Sequence, residues 1–197
     1  MDIIDIKSQL IAKYVPLDKS WIIRMGILDL LYGYNDIDEF LDWRRSELPD
    51  DLVALNRAIK SLKAGDYEID VGESATLYRF LRFLTWRQDI DKRFILRGSL
   101  LKRKICENPE IVHYSQKDLL RLDNGTSQWA SAAVLLGDGE RISNPPFKLK
   151  VTYAAVKHWT ERRIAYSYWE PLYNETIFNQ AVSFLELLKE GKTSFVP

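Results

Sequence analysis

The chain has 197 residues, 46% hydrophobic and 12% aromatic, enough apolar material for the core of one large folded domain. Its 28 basic and 28 acidic residues cancel and no long single-sign block occurs, so binding to nucleic acid or to a membrane surface is not expected, and any anion recognition has to be local. The lone Cys106 cannot form an internal disulfide and stands in no metal-ligand spacing, no apolar run reaches the eighteen or so residues that span a bilayer, and the acidic start Met1-Asp2-Ile3-Ile4-Asp5 lacks a signal peptide's basic flank; a cytoplasmic protein without metal or cofactor is the expectation.

In chain order, Trp21 to Gly33 reads as a helix capped at Ser20 and apolar on most faces, as suits burial between other elements. Arg24 lies inside it, either snorkelling to solvent, paired with an acid, or serving a site. Asp50-Asp51 open the next helix, with Leu52, Leu55, Ala58, Ile59 and Leu62 at helical spacing until Gly65, and Asn56, Arg57 and Lys60 on the opposite, outward face. A strand from about Tyr67 to Val71, a turn at Gly72, a helix opened by Ser74 and Thr76, and a second strand from Phe94 to Arg97 follow. Lys102-Arg103-Lys104 is a solvated basic loop unless a ligand recruits it. A strand near Ile111-Val112-His113 and a turn or short helix around 117–120 complete this half.

Asp123-Asn124-Gly125-Thr126-Ser127-Gln128 combines a turn with hydroxyl and amide side chains and leads into the apolar run Trp129 to Leu136, stopped by Gly137. Two readings fit it. It is an ordinary capped helix start, or a cradle in which unpaired backbone N–H groups and the Thr126, Ser127 and Gln128 side chains hold a phosphate or carboxylate. Beyond it, Ser143-Asn144-Pro145-Pro146 is a loop, Phe147 to His158 suits a strand passing into a helix, Ile164 to Trp169 alternates like a strand, and Asn174-Glu175-Thr176 caps a helix that ends at Gly191 before a last short strand at 194–196.

Four helix openings share one design: Lys19-Ser20, Glu73-Ser74, Thr126-Ser127 and Glu175-Thr176, roughly 50 residues apart. This weak repetition fits a single α/β domain over 1–197, built from strand and helix units whose helix starts converge on one polar face.

These residues resemble 5-enolpyruvylshikimate-3-phosphate synthases (3-phosphoshikimate 1-carboxyvinyltransferases). Lys19-Ser20 followed by Arg24 is similar to the family's Ser-Lys-Ser-x-x-x-Arg. Glu73-Ser74-Ala75-Thr76-Leu77-Tyr78-Arg79 is similar to its Asn-Ala-Gly-Thr-Ala-Met-Arg. Leu96-Arg97-Gly98 with Lys102-Arg103 resembles its Leu-Thr-Gly strand and following Arg-Pro, Thr126-Ser127-Gln128 with Ala130 to Leu136 its Ser-Ser-Gln-x-x-x-Ala-Leu-Leu, and Ser143-Asn144-Pro145-Pro146-Phe147 its Ser-Lys-Pro-Tyr. The order is collinear over about residues 18–160 and weaker over 161–197.

The resemblance implies a domain of βαβαββ-like units with helices packed inside against sheets. It implies that Ser20, Arg24, Thr126, Ser127, Gln128 and Phe147 line a shikimate 3-phosphate pocket, with Lys19 and Arg103 near the phosphoenolpyruvate position. The chain departs from the family at Glu73 and Ala75, where the family has Asn and Gly, and at Phe147, where it has Tyr. Only one of the family's two domains is matched, and the acid and base carboxylates and the His of the other are not found. The expectation is therefore a domain that binds shikimate 3-phosphate or another phosphorylated small molecule without catalysis of its own. The alternative is one subunit of a split transferase in aromatic amino-acid biosynthesis, completed by a second half-subunit; pairing of two copies into a homodimer is a further expectation.

Overall fold

The computed structural model describes residues 18–32, 37–123, 126–137, 147–148, 152–153 and 155–157. Within them the chain is α/β, rich in helix, with one small parallel sheet. Helix α1 (Lys19–Tyr32) runs first, then α2 (Ile37–Trp43), α3 (Asp50–Ala64), strand β1 (Glu68–Gly72), α4 (Ala75–Arg87) and strand β2 (Arg93–Leu96). Short 3-10 turns at Gly98–Lys102 and Pro109–His113 lead to α5 (Gln116–Leu122) and α6 (Gln128–Leu136). Residues 152–153 and 155–157 are also helical.

Strands β1 and β2 pair in parallel from Glu68 with Arg93 to Gly72 with Leu96, with an irregularity between Asp70 and Gly72. Parallel strands need a crossover, and α4 supplies it, so β1-α4-β2 is one βαβ unit. The Asp70 carboxylate accepts from the Gly72 N–H at 2.9 Å and from both arms of the Arg97 fork, at 2.8 and 3.0 Å. Arg57 of α3 reaches the same carboxylate at 3.1 Å. Burial pushes the Asp70 carboxyl up, but the Arg97 fork, the Gly72 N–H and Arg57 outweigh it and hold the group below its ordinary value.

Helix α1 is the centre of the core. Every residue from Trp21 to Asp29 is buried, as a helix apolar all round requires. Its cap is Asp18, whose carboxylate accepts from the Trp21 N–H at 2.8 Å, and not Ser20. Helix α3 lies against β1 and ends where Gly65 takes a left-handed φ of 79°; the Gly65 N–H donates to the Leu62 carbonyl at 3.1 Å and the Asp66 N–H to the Ser61 carbonyl at 2.9 Å. Asn56, expected on its outward face, is buried and donates to Asp42 of α2 at 2.8 Å. Helix α4 packs against α6, with Trp86 stacked on Trp129 at 5.8 Å between ring centroids.

Two further expectations need correction, and a third is made definite. The apolar triplet Ile111-Val112-His113 is a 3-10 turn and not a strand, because Asn108 caps it and Pro109 starts it. The turn or short helix expected around 117–120 is a short helix, α5, capped by Ser115. Phe147 and Lys148 are not in a strand. The Asn124-Gly125 turn, the 143–146 loop, the 164–169 strand, the Glu175-Thr176 helix opening and the 194–196 strand lie outside the described residues. So do the further repeats that the βαβαββ reading calls for; one βαβ unit is what the described residues contain. None of the described helices is long and apolar enough to cross a membrane.

Candidate functional site

The start of α6 is built around an acid upstream of it. Asp123, buried, accepts from the Trp129 N–H through Oδ1 at 2.9 Å and from the Ala130 N–H through Oδ2 at 3.0 Å. Thr126 closes the turn by donating its hydroxyl to the Asp123 carbonyl at 2.9 Å. The first amides of α6, which the sequence offers to an external anion, are thus held by an internal one. Burial raises the Asp123 carboxyl above its ordinary value, against the pull of the Ala130 and Trp129 amides and of Arg79. Ser127, the N-cap residue by position, makes no capping bond; it is buried with φ 56° and ψ 26°, a left-handed conformation that costs a non-glycine residue roughly 1–3 kcal/mol.

Gln128 connects this start to that of α4. Its Nε2 donates to the Thr76 hydroxyl at 2.9 Å, and its Oε1 accepts from Arg79 Nη1. Arg79 also reaches the Ala75 carbonyl and lies 5.9 Å from the centre of the Trp129 ring, while its Nε is buried without a partner. No carboxylate stands at ion-pair distance from it among the described residues. Burial draws its pKa below the ordinary arginine value, with Asp123 opposing and Arg103 reinforcing the shift.

Arg24 sits deeper, 2% exposed. It neither snorkels nor pairs with an acid: Nη1 donates to the Ser20 carbonyl at 2.7 Å, Nη2 and Nε to the Ser131 hydroxyl at 3.2 and 3.4 Å, and the guanidinium lies 5.1 Å from the centre of the Phe80 ring. Burial brings its pKa down to about 10 against the attraction of Asp18 and Asp123, so it stays charged at neutral pH. Arg24 therefore ties α1 to α6 one turn inside the helix start.

The third part lies where β1 and β2 end. Glu73, the first residue past β1, accepts from the Ser99 N–H at 2.8 Å, beside Arg103. The Ser99 backbone and side chain, with a smaller contribution from Arg103, hold its carboxyl below the usual value. Gly98 has φ 48°, and a Cβ there would stand 2.0 Å from Glu73 Oε1. The end of a parallel strand beside a helix start is where α/β folds place ligands.

Of the residues expected at the site, Gln128 and Arg24 meet partners across elements, Ser127 and Thr126 frame the α6 start, and Arg103 is exposed near Arg79 and Glu73. Ser20 contributes its backbone carbonyl to Arg24. Two stand elsewhere: Lys19 is exposed and pairs with Asp51 of α3 at 2.7 Å, and Phe147 is buried in the core. The resemblance does not name Arg79, Thr76 or Asp123 as ligand residues. The signal for Arg79 and Thr76 lies in their i, i+3 spacing over the first two turns of α4, which puts both on one side of that helix.

An open groove of about 650 Å³ lies at the other ends of α1 and α4, lined by Leu30, Leu31, Leu62, Leu84 and Ile90 and by the polar Lys63, Thr85, Gln88 and Lys92. It contains none of the residues above. No group of three or more His, Cys, Asp or Glu is placed to hold a metal ion among the described residues. No family model, curated protein or solved structure matches the chain.

Proposed function

We propose that this chain is an enolpyruvyl-transferase-like domain that binds a phosphorylated small molecule, shikimate 3-phosphate or a close relative, where the starts of α4 and α6 meet, and that it does not turn the ligand over alone. The observation that carries this reading is Arg79. A half-buried guanidinium with one unpartnered N–H, facing a glutamine and a threonine hydroxyl instead of an acid, is an arrangement that an incoming anion completes. Arg24 adds a second positive charge beneath the same helix start, at a desolvation cost that an apolar residue would avoid.

The carboxylates at this site among the described residues support a reading without turnover. Transfer of an enolpyruvyl group needs an acid and a base free to exchange protons with the substrate. Glu73 and Asp123 both have oxygens committed to backbone amides. Completion of the cleft by a second half-subunit or a second copy is the route to catalysis, and a cytoplasmic setting accords with the single thiol.

Calorimetric titration of the full chain with shikimate 3-phosphate tests the reading. Saturable binding to the wild type, weakened tenfold or more in Arg79→Gln, is expected, with no phosphate release when phosphoenolpyruvate is added. No binding by the wild type, or equal binding by Arg79→Gln, would overturn it.

A further inference from the structure

We propose that the groove at the C-terminal ends of α1, α3 and α4 receives the exposed 101–104 segment of a second copy of this chain, a leucine and three cations entering an apolar groove with an acidic rim. The inference is independent of the anion reading above and concerns a different surface.

Three helices end at the groove. Leu30 and Leu31 belong to the last turn of α1, Leu62 and Lys63 to that of α3, and Leu84 and Thr85 to that of α4, while Ile90, 44% exposed, lines it from the loop before β2. The C-terminus of a helix carries partial negative charge, so three such ends favour a cationic visitor. Asp66, Asp89 and Asp91 add full charges at the rim: Asp89 and Asp91 flank Ile90, and Lys92 of the lining donates to the Asp66 carbonyl. All three are exposed and make no ion pair among the described residues. The lysines of the lining do not cancel them. Lys63 is paired with Asp38 at 2.6 Å, and Lys92, drawn to the Gly65 and Asp66 carbonyls, offsets one carboxylate of the three.

The complementary element stands at the opposite end of the sheet. Past β2, Leu100 is buried, but Leu101 is 67% exposed, the most exposed large hydrophobic side chain among the described residues. Lys102, Arg103 and Lys104 follow it, all exposed and without an ion pair among the described residues. A leucine beside three cations matches, in polarity and in sign, a leucine-lined groove with a negative rim. The turn does not reach the groove of its own chain. The four residues of β2 separate the two by about 13 Å, and the buried Leu100, whose carbonyl accepts from the Arg103 N–H at 3.2 Å, fixes the turn in place. The groove's occupant is therefore the turn of another molecule. Because groove and turn lie at opposite ends of the parallel pair, two copies side by side and antiparallel make the contact twice and close a two-fold dimer.

Sedimentation velocity of the full chain provides the test. The wild type should dimerise as its concentration rises to about 100 µM, with a dissociation constant that grows tenfold or more between about 50 mM and about 500 mM salt. Leu101→Ser, which removes the apolar side chain, and Ile90→Lys, which sets a cation in the groove, should each weaken the dimer tenfold or more. Both residues are exposed, and matching thermal melts establish that the variants fold. An equimolar mixture of the two variants should associate more tightly than either alone, because the intact turn of Ile90→Lys meets the intact groove of Leu101→Ser. A wild type that stays monomeric would overturn the inference and leave the groove to another occupant. A dimer that both variants leave unchanged, or a mixture no tighter than its components, would overturn it too, the latter by showing that the turn of one molecule does not meet the groove of the next. Neither residue belongs to the Arg79 site, so the titration with shikimate 3-phosphate stands or falls separately.

Discussion

The Ala130 backbone N–H donates to Asp123 Oδ2 at 3.0 Å, across seven residues of chain, and the neighbouring Trp129 N–H takes the other oxygen at 2.9 Å. One buried carboxylate thus satisfies two of the amides that a helix start leaves open, and also closes the turn leading into α6. Replacing Asp123 by Ala removes both charge-assisted bonds and should lower stability by about 2 kcal/mol, measured by urea unfolding at neutral pH. Asp123→Asn keeps one acceptor and should lose less. If Asp123→Ala unfolded at the wild-type midpoint, the carboxylate would not be what anchors α6.

Asp123 and Asp70 should carry opposite pH signatures. The folded-state pKa of Asp123 is raised, so the native state holds its proton more tightly; that contribution is present below the unfolded carboxylate value and is lost as pH rises through the folded one. Asp70 is depressed, so its contribution is present above the unfolded value and is lost as pH falls through the folded one. Compared with Asp123→Asn, the wild type should gain stability on acidification from about pH 7 to about pH 3; compared with Asp70→Asn it should lose it. Urea midpoints at the two pH values that moved the same way for both pairs would contradict the assignments.

Gly26 tests the packing of α1 against α2. A Cβ there would come within 2.9 Å of Ile37 Cγ1 and 3.4 Å of Leu55 Cδ2. Alanine is the better helix former by about 1 kcal/mol, but overpacking a core costs about 1–3 kcal/mol, so Gly26→Ala should be neutral to destabilising by about 2 kcal/mol. Ile37→Ala creates a cavity at the same contact, and the double variant should be more stable than the sum of the two singles allows. Strict additivity in thermal unfolding would show that the methyl group and Ile37 do not meet.

Much of this fold was legible because its signals are local. The period of α3, its stop at Gly65, the β1 and β2 runs and the Ser74 cap of α4 are each contained within a few adjacent residues, and each stands where the sequence puts it. The readings that failed are those that needed distance. Ile111-Val112-His113 has strand composition but no strand to pair with among the described residues, and Asn108-Pro109 decides it as a turn. Asn56 has the polarity of a surface residue, but α2, which no sequence signal marked, covers it. At the site, Thr126-Ser127-Gln128 was visible as a helix start, whereas its occupation by Asp123 depends on a turn that folds the acid back on the amides. The link from Gln128 to Arg79 spans 49 residues, and no spacing rule reaches that far.

Arg24 separates stability from function most directly. Its guanidinium is buried and charged, and it is held by a hydroxyl and a carbonyl instead of a carboxylate, so the folded state bears a desolvation cost that Coulomb attraction to Asp18 and Asp123 only partly offsets. An unbranched apolar side chain of similar length keeps the packing against Phe80 and removes the cost. Arg24→Met should therefore melt at or above the wild-type temperature, by up to about 1–2 kcal/mol of added stability, although the Ser131 hydroxyl keeps its bond to the Gln128 carbonyl and so is not left unpaired. The same variant should bind shikimate 3-phosphate at least tenfold more weakly, because a positive charge under the α6 start is gone. Lower stability together with unchanged binding would reverse the assignment and make Arg24 a structural tie between α1 and α6, with no part in recognising an anion.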